Sequence, residues 1–160
     1  MQLPSLFTPF VVIAAATSAV MGESHTVQLI NKCGRGTPKL VQAGRILSSG
    51  GTFKAGGPLN AIAYLHTGEC GLNGENCTLV EMTLKNPTSD QPGSGSSADI
   101  SLIPPYKFNV PVSFHFTNGC SNGVICPNAN CPGAFHRPDD NQLVTICQAN
   151  DAGLVITFCP

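Results

Sequence analysis

Eight cysteines, at positions 33, 70, 77, 120, 126, 131, 147 and 159, set the strongest limit on how this 160-residue chain can fold. All of them lie after residue 24, and Cys159 is followed only by Pro160. An even count in an exported chain reads as four disulfides, formed in an oxidising compartment. Zinc is the competing reading for the close pairs Cys70/Cys77 and Cys126/Cys131. Their x6 and x4 spacings, however, are not those of C-x2-C knuckles.

Export is itself read from residues 1–24, MQLPSLFTPFVVIAAATSAVMGES. The apolar run from Phe7 to Met21, with small residues toward its end, matches a secretory signal peptide cut near Gly22 or Ser24, although no Lys or Arg precedes it. The run is short for a membrane span, which takes about 20 residues. Residues 25–160 then form one secreted domain, of ordinary domain size, placed outside the cell or in the cell wall.

Charge narrows the partners. Eight Lys and Arg face nine acids, and the two signs become equal if Glu23 leaves with the leader. So sparse a charge offers no basic footprint for nucleic acid or for an anionic membrane. Neutral polymers suit it, and carbohydrate is the obvious one outside a cell.

Short runs rich in β-branched and aromatic residues recur between Gly, Pro and Asn, the pattern of an all-β sandwich. HTVQLINKC opens the series, with Val27, Leu29 and Asn31 on one face and Thr26, Gln28 and Ile30 on the other. KLVQAGRILSSGGTFKA, NAIAYLHTG, CTLVEMTLKN, ADISLI, VPVSFHF, LVTICQA and GLVITFC follow. No long segment shows a 3.6-residue apolar period, and NPTSDQPGSGSSAD (86–99) reads as a polar loop. Strands at both ends that close on cysteines suggest neighbouring strands joined by Cys33 and Cys159. Spacing alone does not choose among the 105 pairings open to eight cysteines.

Several motifs, in order, resemble the thaumatin-like proteins. They are VQLINKC, TLVEMTL, DISLIPPYKFNVPVSF, Gly119-Cys120 with Cys126 six residues on, CPGAFHRPDD and the closing VITFCP. The resemblance covers nearly all of residues 25–160. Large family members carry sixteen cysteines and a disulfide-rich second domain, whereas here only PNAN separates Cys126 from Cys131. The chain therefore looks like a small form reduced to a β-sandwich. The resemblance implies the pairs Cys33–Cys159, Cys70–Cys77, Cys120–Cys147 and Cys126–Cys131.

The same resemblance supplies candidate site residues. Family members active on β-1,3-glucan have an acidic cleft with an arginine. Glu81, Asp99 and Asp140, with Asp139 beside it, stand at the positions of the family's acids, and Ser96 replaces a further one. The arginine has no counterpart in AIAYLHTGEC, where His66 is the nearest polar substitute. Strand alternation independently turns Glu81 and Asp99 away from the core. The expected function is binding of β-1,3-glucan or a related cell-wall polysaccharide, in defence or wall remodelling, with Tyr106 as a sugar-stacking candidate.

A second reading is a weak endo-β-1,3-glucanase with Glu81 as general acid, its pKa raised by Asp99 and Asp140, either of which would serve as base. A third is a secreted host-interaction or structural protein without carbohydrate activity. No cofactor or metal is called for: His25, His66, His115 and His136 have no diagnostic spacing. A monomer is expected. Asn76-Cys77-Thr78 is a glycosylation sequon.

Overall fold

In the computed structural model, residues 22–89, 91–140 and 143–160 are described, and they form strands and no helix. The expected leader lies outside the described residues as far as Met21. In chain order the strands are β1 (His25–Asn31), β2 (Thr37–Gln42), β3 (Arg45–Ser48), β4 (Gly51–Ala55), β5 (Leu59–His66) and β6 (Leu79–Leu84). There follow β7 (Ser96–Ser101), β8 (Val112–Thr117), β9 (Gly123–Cys126), β10 (Ala134–Phe135), β11 (Thr145–Cys147) and β12 (Gly153–Phe158).

Two sheets result. The five-stranded one runs β4-β1-β12-β8-β9; the other runs β10-β7-β6-β5-β2-β3, with β11 also paired to β7. Period-two alternation turns one face of each sheet inward. Val27, Leu29, Phe114, Phe116, Ile156 and Phe158 from the first sheet meet Ala61, Leu65, Val80, Met82, Leu84 and Ile100 from the second in one core. Phe114 and Phe116 pack edge to face, ring centroids 6.3 Å apart, a favoured aromatic geometry. The architecture is the expected all-β sandwich.

β1 and β12 pair in parallel, Val27 opposite Leu154 through Asn31 opposite Phe158. Just beyond them Cys33 is bonded to Cys159, with Cα atoms 5.1 Å apart and a sequence separation of 126. The other disulfides are Cys70–Cys77, Cys120–Cys147 and Cys126–Cys131, and among the described residues no cysteine is free. Cys120–Cys147 ties the β8–β9 turn to β11 and so links the two sheets. The β2–β3 hairpin turns on Ala43 (φ 47°) and Gly44 (φ 74°), the pair of left-handed residues that a two-residue hairpin loop of this kind requires.

Two local expectations are corrected, and one further contact bears on the leader. Asn31 does not join Val27 and Leu29 inside; it is exposed and its amide holds the carbonyls of Arg35 and Gly36. The polar stretch 86–99 is not loop throughout, because Ser96–Asp99 begin β7, with Ser96 and Ala98 buried. Glu23, counted with the leader, is tied into the fold. Its carboxylate accepts from the Asn86 backbone N–H at 2.5 Å and meets the buried His25 ring at 2.9 Å. Cleavage after Ser24 would remove these bonds; cleavage after Gly22 would keep them.

Candidate functional site

β5, β6 and β7 lie side by side, so the residues that alternation turns outward form rows across the face. Ile62 stands opposite Glu81, and Glu81 opposite Asp99; one row along, Asn60 stands opposite Thr83, and Thr83 opposite Ser97. These six line a cleft of about 250 Å³. Directly opposed side chains on antiparallel strands have Cβ atoms about 4.5–5.5 Å apart, which makes Glu81 and Asp99 close like-charged neighbours.

Their electrostatics follow. Burial, and then the charge of Glu81, pushes the Asp99 carboxyl up to about 7. Glu81 is also raised, by burial alone. Neither shift includes a hydrogen bond that would offset it. The like-charge effect expected at Glu81 therefore falls on Asp99. Near pH 6 the cleft presents Asp99 mainly in its protonated form beside Glu81, which combines a hydrogen-bond donor with acceptors on one rigid surface.

The remaining site candidates are not among the residues lining this cleft. Asp140 Oδ2 accepts the backbone N–H groups of His136 (2.7 Å) and Arg137 (2.9 Å), and these bonds hold its pKa below the usual carboxylate value. Asp139 lies 3.5 Å from Arg137 Nε in an exposed ion pair. Both acids brace the loop after β10. Ser96 faces inward and its hydroxyl closes on the backbone N–H and C=O of Lys85. His66 lines a separate depression with Tyr64. Tyr106 packs, half-buried, against the cluster of Val41, Tyr64, Cys70, Cys77 and Leu79 on the outer face. Its hydroxyl is raised by burial first, then by the charges of Glu81 and Glu75. Asn60, Thr83 and Ser97 were not singled out from the sequence, although alternation along NAIAYLH and LVEMTL places the first two on the same face as Glu81. At Asn76 (φ 63°), the side chain lies 3.4 Å from the Glu69 carbonyl. The sequon's Thr78 is buried, its hydroxyl engaged by Asn109 N–H and the Val110 carbonyl.

No family model matches the chain. Curated relatives do. Thaumatin-like pathogenesis-related protein 2 of Avena sativa is 38% identical over 93 residues, 57% of this chain and 46% of the relative. A thaumatin-like protein of Oryza sativa subsp. japonica is 35% identical over 94 residues, 57% of this chain and 45% of the relative. Among solved structures, the thaumatin-like xylanase inhibitor TLXI superposes with a TM-score of 0.53 at 17% identity, over 85% of this chain and 99% of the inhibitor. Sequence and fold are both similar to those of thaumatin-like proteins. The chain spans about half the length of the curated relatives it matches, which fits a small form of the thaumatin-like type. At the strand where the thaumatin-like resemblance implies an arginine, β5 presents Ile62, Tyr64 and His66 outward instead.

Proposed function

We propose that this protein is a secreted, thaumatin-like defence or wall-associated protein that binds β-1,3-glucan or a related neutral cell-wall polysaccharide in the Glu81–Asp99 cleft. The observation that supports this most is the cross-strand acid pair itself. Two half-buried carboxyls, one raised to about 7, stand on adjacent strands among the hydrogen-bonding side chains of Asn60, Thr83 and Ser97. Such a face matches sugar hydroxyls, which both donate and accept. The low net charge, −1 at pH 7, suits an uncharged polymer. Four disulfides fit an extracellular site of action.

A hydrolase reading draws on the same pair. Glycoside hydrolysis needs one protonated acid and one carboxylate. The rise of Asp99 to about 7 favours Asp99 as the protonated partner and Glu81 as the carboxylate, the reverse of the roles expected from sequence. The deciding experiment combines pull-down on insoluble β-1,3-glucan with a reducing-end assay. Binding without new reducing ends supports the binder. Turnover that falls by about 10²-fold or more in Asp99→Asn supports the enzyme. Failure to bind removes both and leaves a protein-directed role, which addition to a xylanase assay would probe because the structural neighbour is a xylanase inhibitor.

A further inference from the structure

The same outer face carries a second, larger depression, of about 390 Å³, at its β2–β3 end. Its geometry follows from register: Lys39 stands opposite Tyr64 and Thr37 opposite His66, while Ile46 on β3 stands opposite Val41 of β2. The floor is Tyr64, 1% exposed, whose hydroxyl donates to the Leu72 carbonyl at 2.9 Å. The walls are apolar. Ile46 and Leu72 are 44% and 50% exposed, and the Cys70–Cys77 disulfide backs them. The rim is polar and, among the described residues, carries no acid: Thr37, Lys39 and His66. Glu75, whose charge reaches the Tyr64 hydroxyl, does not line the depression, and its carboxylate is held by the Asn73 backbone N–H at 3.0 Å and the Asn73 amide at 3.3 Å.

We infer that this depression is a binding site for a small organic anion, an apolar body ending in a carboxylate. Three features specify that chemistry together. A volume in the range of ligand pockets, about 300–1,000 Å³, with apolar walls and few polar groups accommodates a compact hydrocarbon or aryl body. Among the described lining side chains, Lys39 supplies an ammonium. Lys39 Nζ spends one contact on Ser49 Oγ, at 3.1 Å, and an ammonium has three donors, so it can still engage a carboxylate. Thr37 and His66 lie one step along the strands, where a second carboxylate oxygen would need a donor. The acidic cleft begins at Ile62 on the same strand, so the face carries acids at one end and a lysine at the other. A polymer carrying acyl or aryl acid substituents could span both, but the site does not depend on glucan binding.

The test uses the folded, disulfide-bonded protein and four probes: hexanoate, 3-phenylpropionate, 1-hexanol and hexylammonium. Binding is followed by NMR shifts of the Leu72, Ile46 and Tyr64 resonances. Saturable shifts are expected with one or both carboxylates, weaker ones with the alcohol and none with the amine. Hexanoate alone would assign an aliphatic body, and phenylpropionate alone an aromatic one. Lys39→Met should weaken carboxylate binding about tenfold while leaving hexanol unchanged, since a charge-assisted hydrogen bond is lost. Ile46→Asp, at an exposed position, should weaken both carboxylates and the alcohol. No saturable binding by either carboxylate overturns the site. Equal binding of acid, alcohol and amine, or a Lys39→Met variant that binds carboxylates normally, overturns the anion assignment. Glucan pull-down on Lys39→Met should be unaltered, which separates this site from the acidic cleft.

Discussion

The two sheets share one core but are used differently. The five-stranded sheet holds β1 and β12 and the Cys33–Cys159 bond, and its outward residues are mostly uncharged, such as Gln28, Thr52, Ser113 and Val155. The other sheet carries Glu81 and Asp99 at one end of its outer face and Lys39, Tyr64 and His66 at the other. Closure is thus concentrated in one layer and chemistry in the opposite one. A layer fixed by long-range links can support a neighbour that carries unfavourable groups, and a half-buried pair of like-charged acids is such a burden.

The largest effect that could break this division is at the closing bond. Cys33→Ser with Cys159→Ser should lower stability by about 4–5 kcal/mol on the chain-entropy account, because the loop is nearly the whole domain. Urea denaturation measures it. Glucan affinity should be retained at temperatures where the variant remains folded; a matching loss of affinity would show that the sheets are not separable in role. Next comes Cys126→Ser with Cys131→Ser, which opens a loop of sequence separation 5 and should cost only about 2 kcal/mol by the same relation. Equal losses from the two bonds would contradict the entropic argument.

The acids then sharpen the comparison with smaller effects. The folded Asp99 carboxyl titrates near 7, against about 3.9 in an unfolded chain. The folded state therefore holds more protons between those values, and stability falls as pH rises from about 4 to 7. Asp99→Asn should remove this slope and raise stability above pH 7 by about 1–2 kcal/mol, allowing for the solvent that reaches the group. Thermal melts across that range test it. Glucan affinity should also decline through pH 7 in the natural protein, as the donor is lost, and stay level in Asp99→Asn.

Asp140 should give the smallest change, of opposite sign. Its carboxyl is depressed, so its contribution is present above the unfolded value and disappears as pH falls through the folded one. Asp140→Asn should reduce stability slightly at neutral pH, converge with the parent in acid and leave glucan binding alone. A loss of glucan binding on this change would move Asp140 into the site.

What could be read from the sequence divides along similar lines. The class of fold was legible because alternation in TVQL, LVEMTL and GLVITF records a buried face directly. The four-residue β9 was not: Gly123–Cys126 is an edge strand whose Ile125 is 58% exposed, so no alternation marks it. The β10 pair Ala134–Phe135 is too short to carry a period. The adjacency of Glu81 and Asp99 depends on register, with Ile62 opposite Glu81 and Glu81 opposite Asp99, and single strands do not encode register across the intervening chain. The resemblance could place the acids in one region. It could not show that Asp140 would spend its oxygens on His136 and Arg137.

The placement of β12 between β1 and β8 also sets an order of events during synthesis on the ribosome. Among the described strands, the one translated after the others completes the middle of its sheet. Until residues 153–158 emerge, β1 with β4 and β8 with β9 can exist only as two separate ribbons, each with an apolar face and an open edge. Two-stranded ribbons of this kind are at best marginal in water. The nascent chain must therefore keep Val27, Leu29, Phe114 and Phe116 unsatisfied until residues 153–158 have emerged, the interval in which a holding chaperone would matter most.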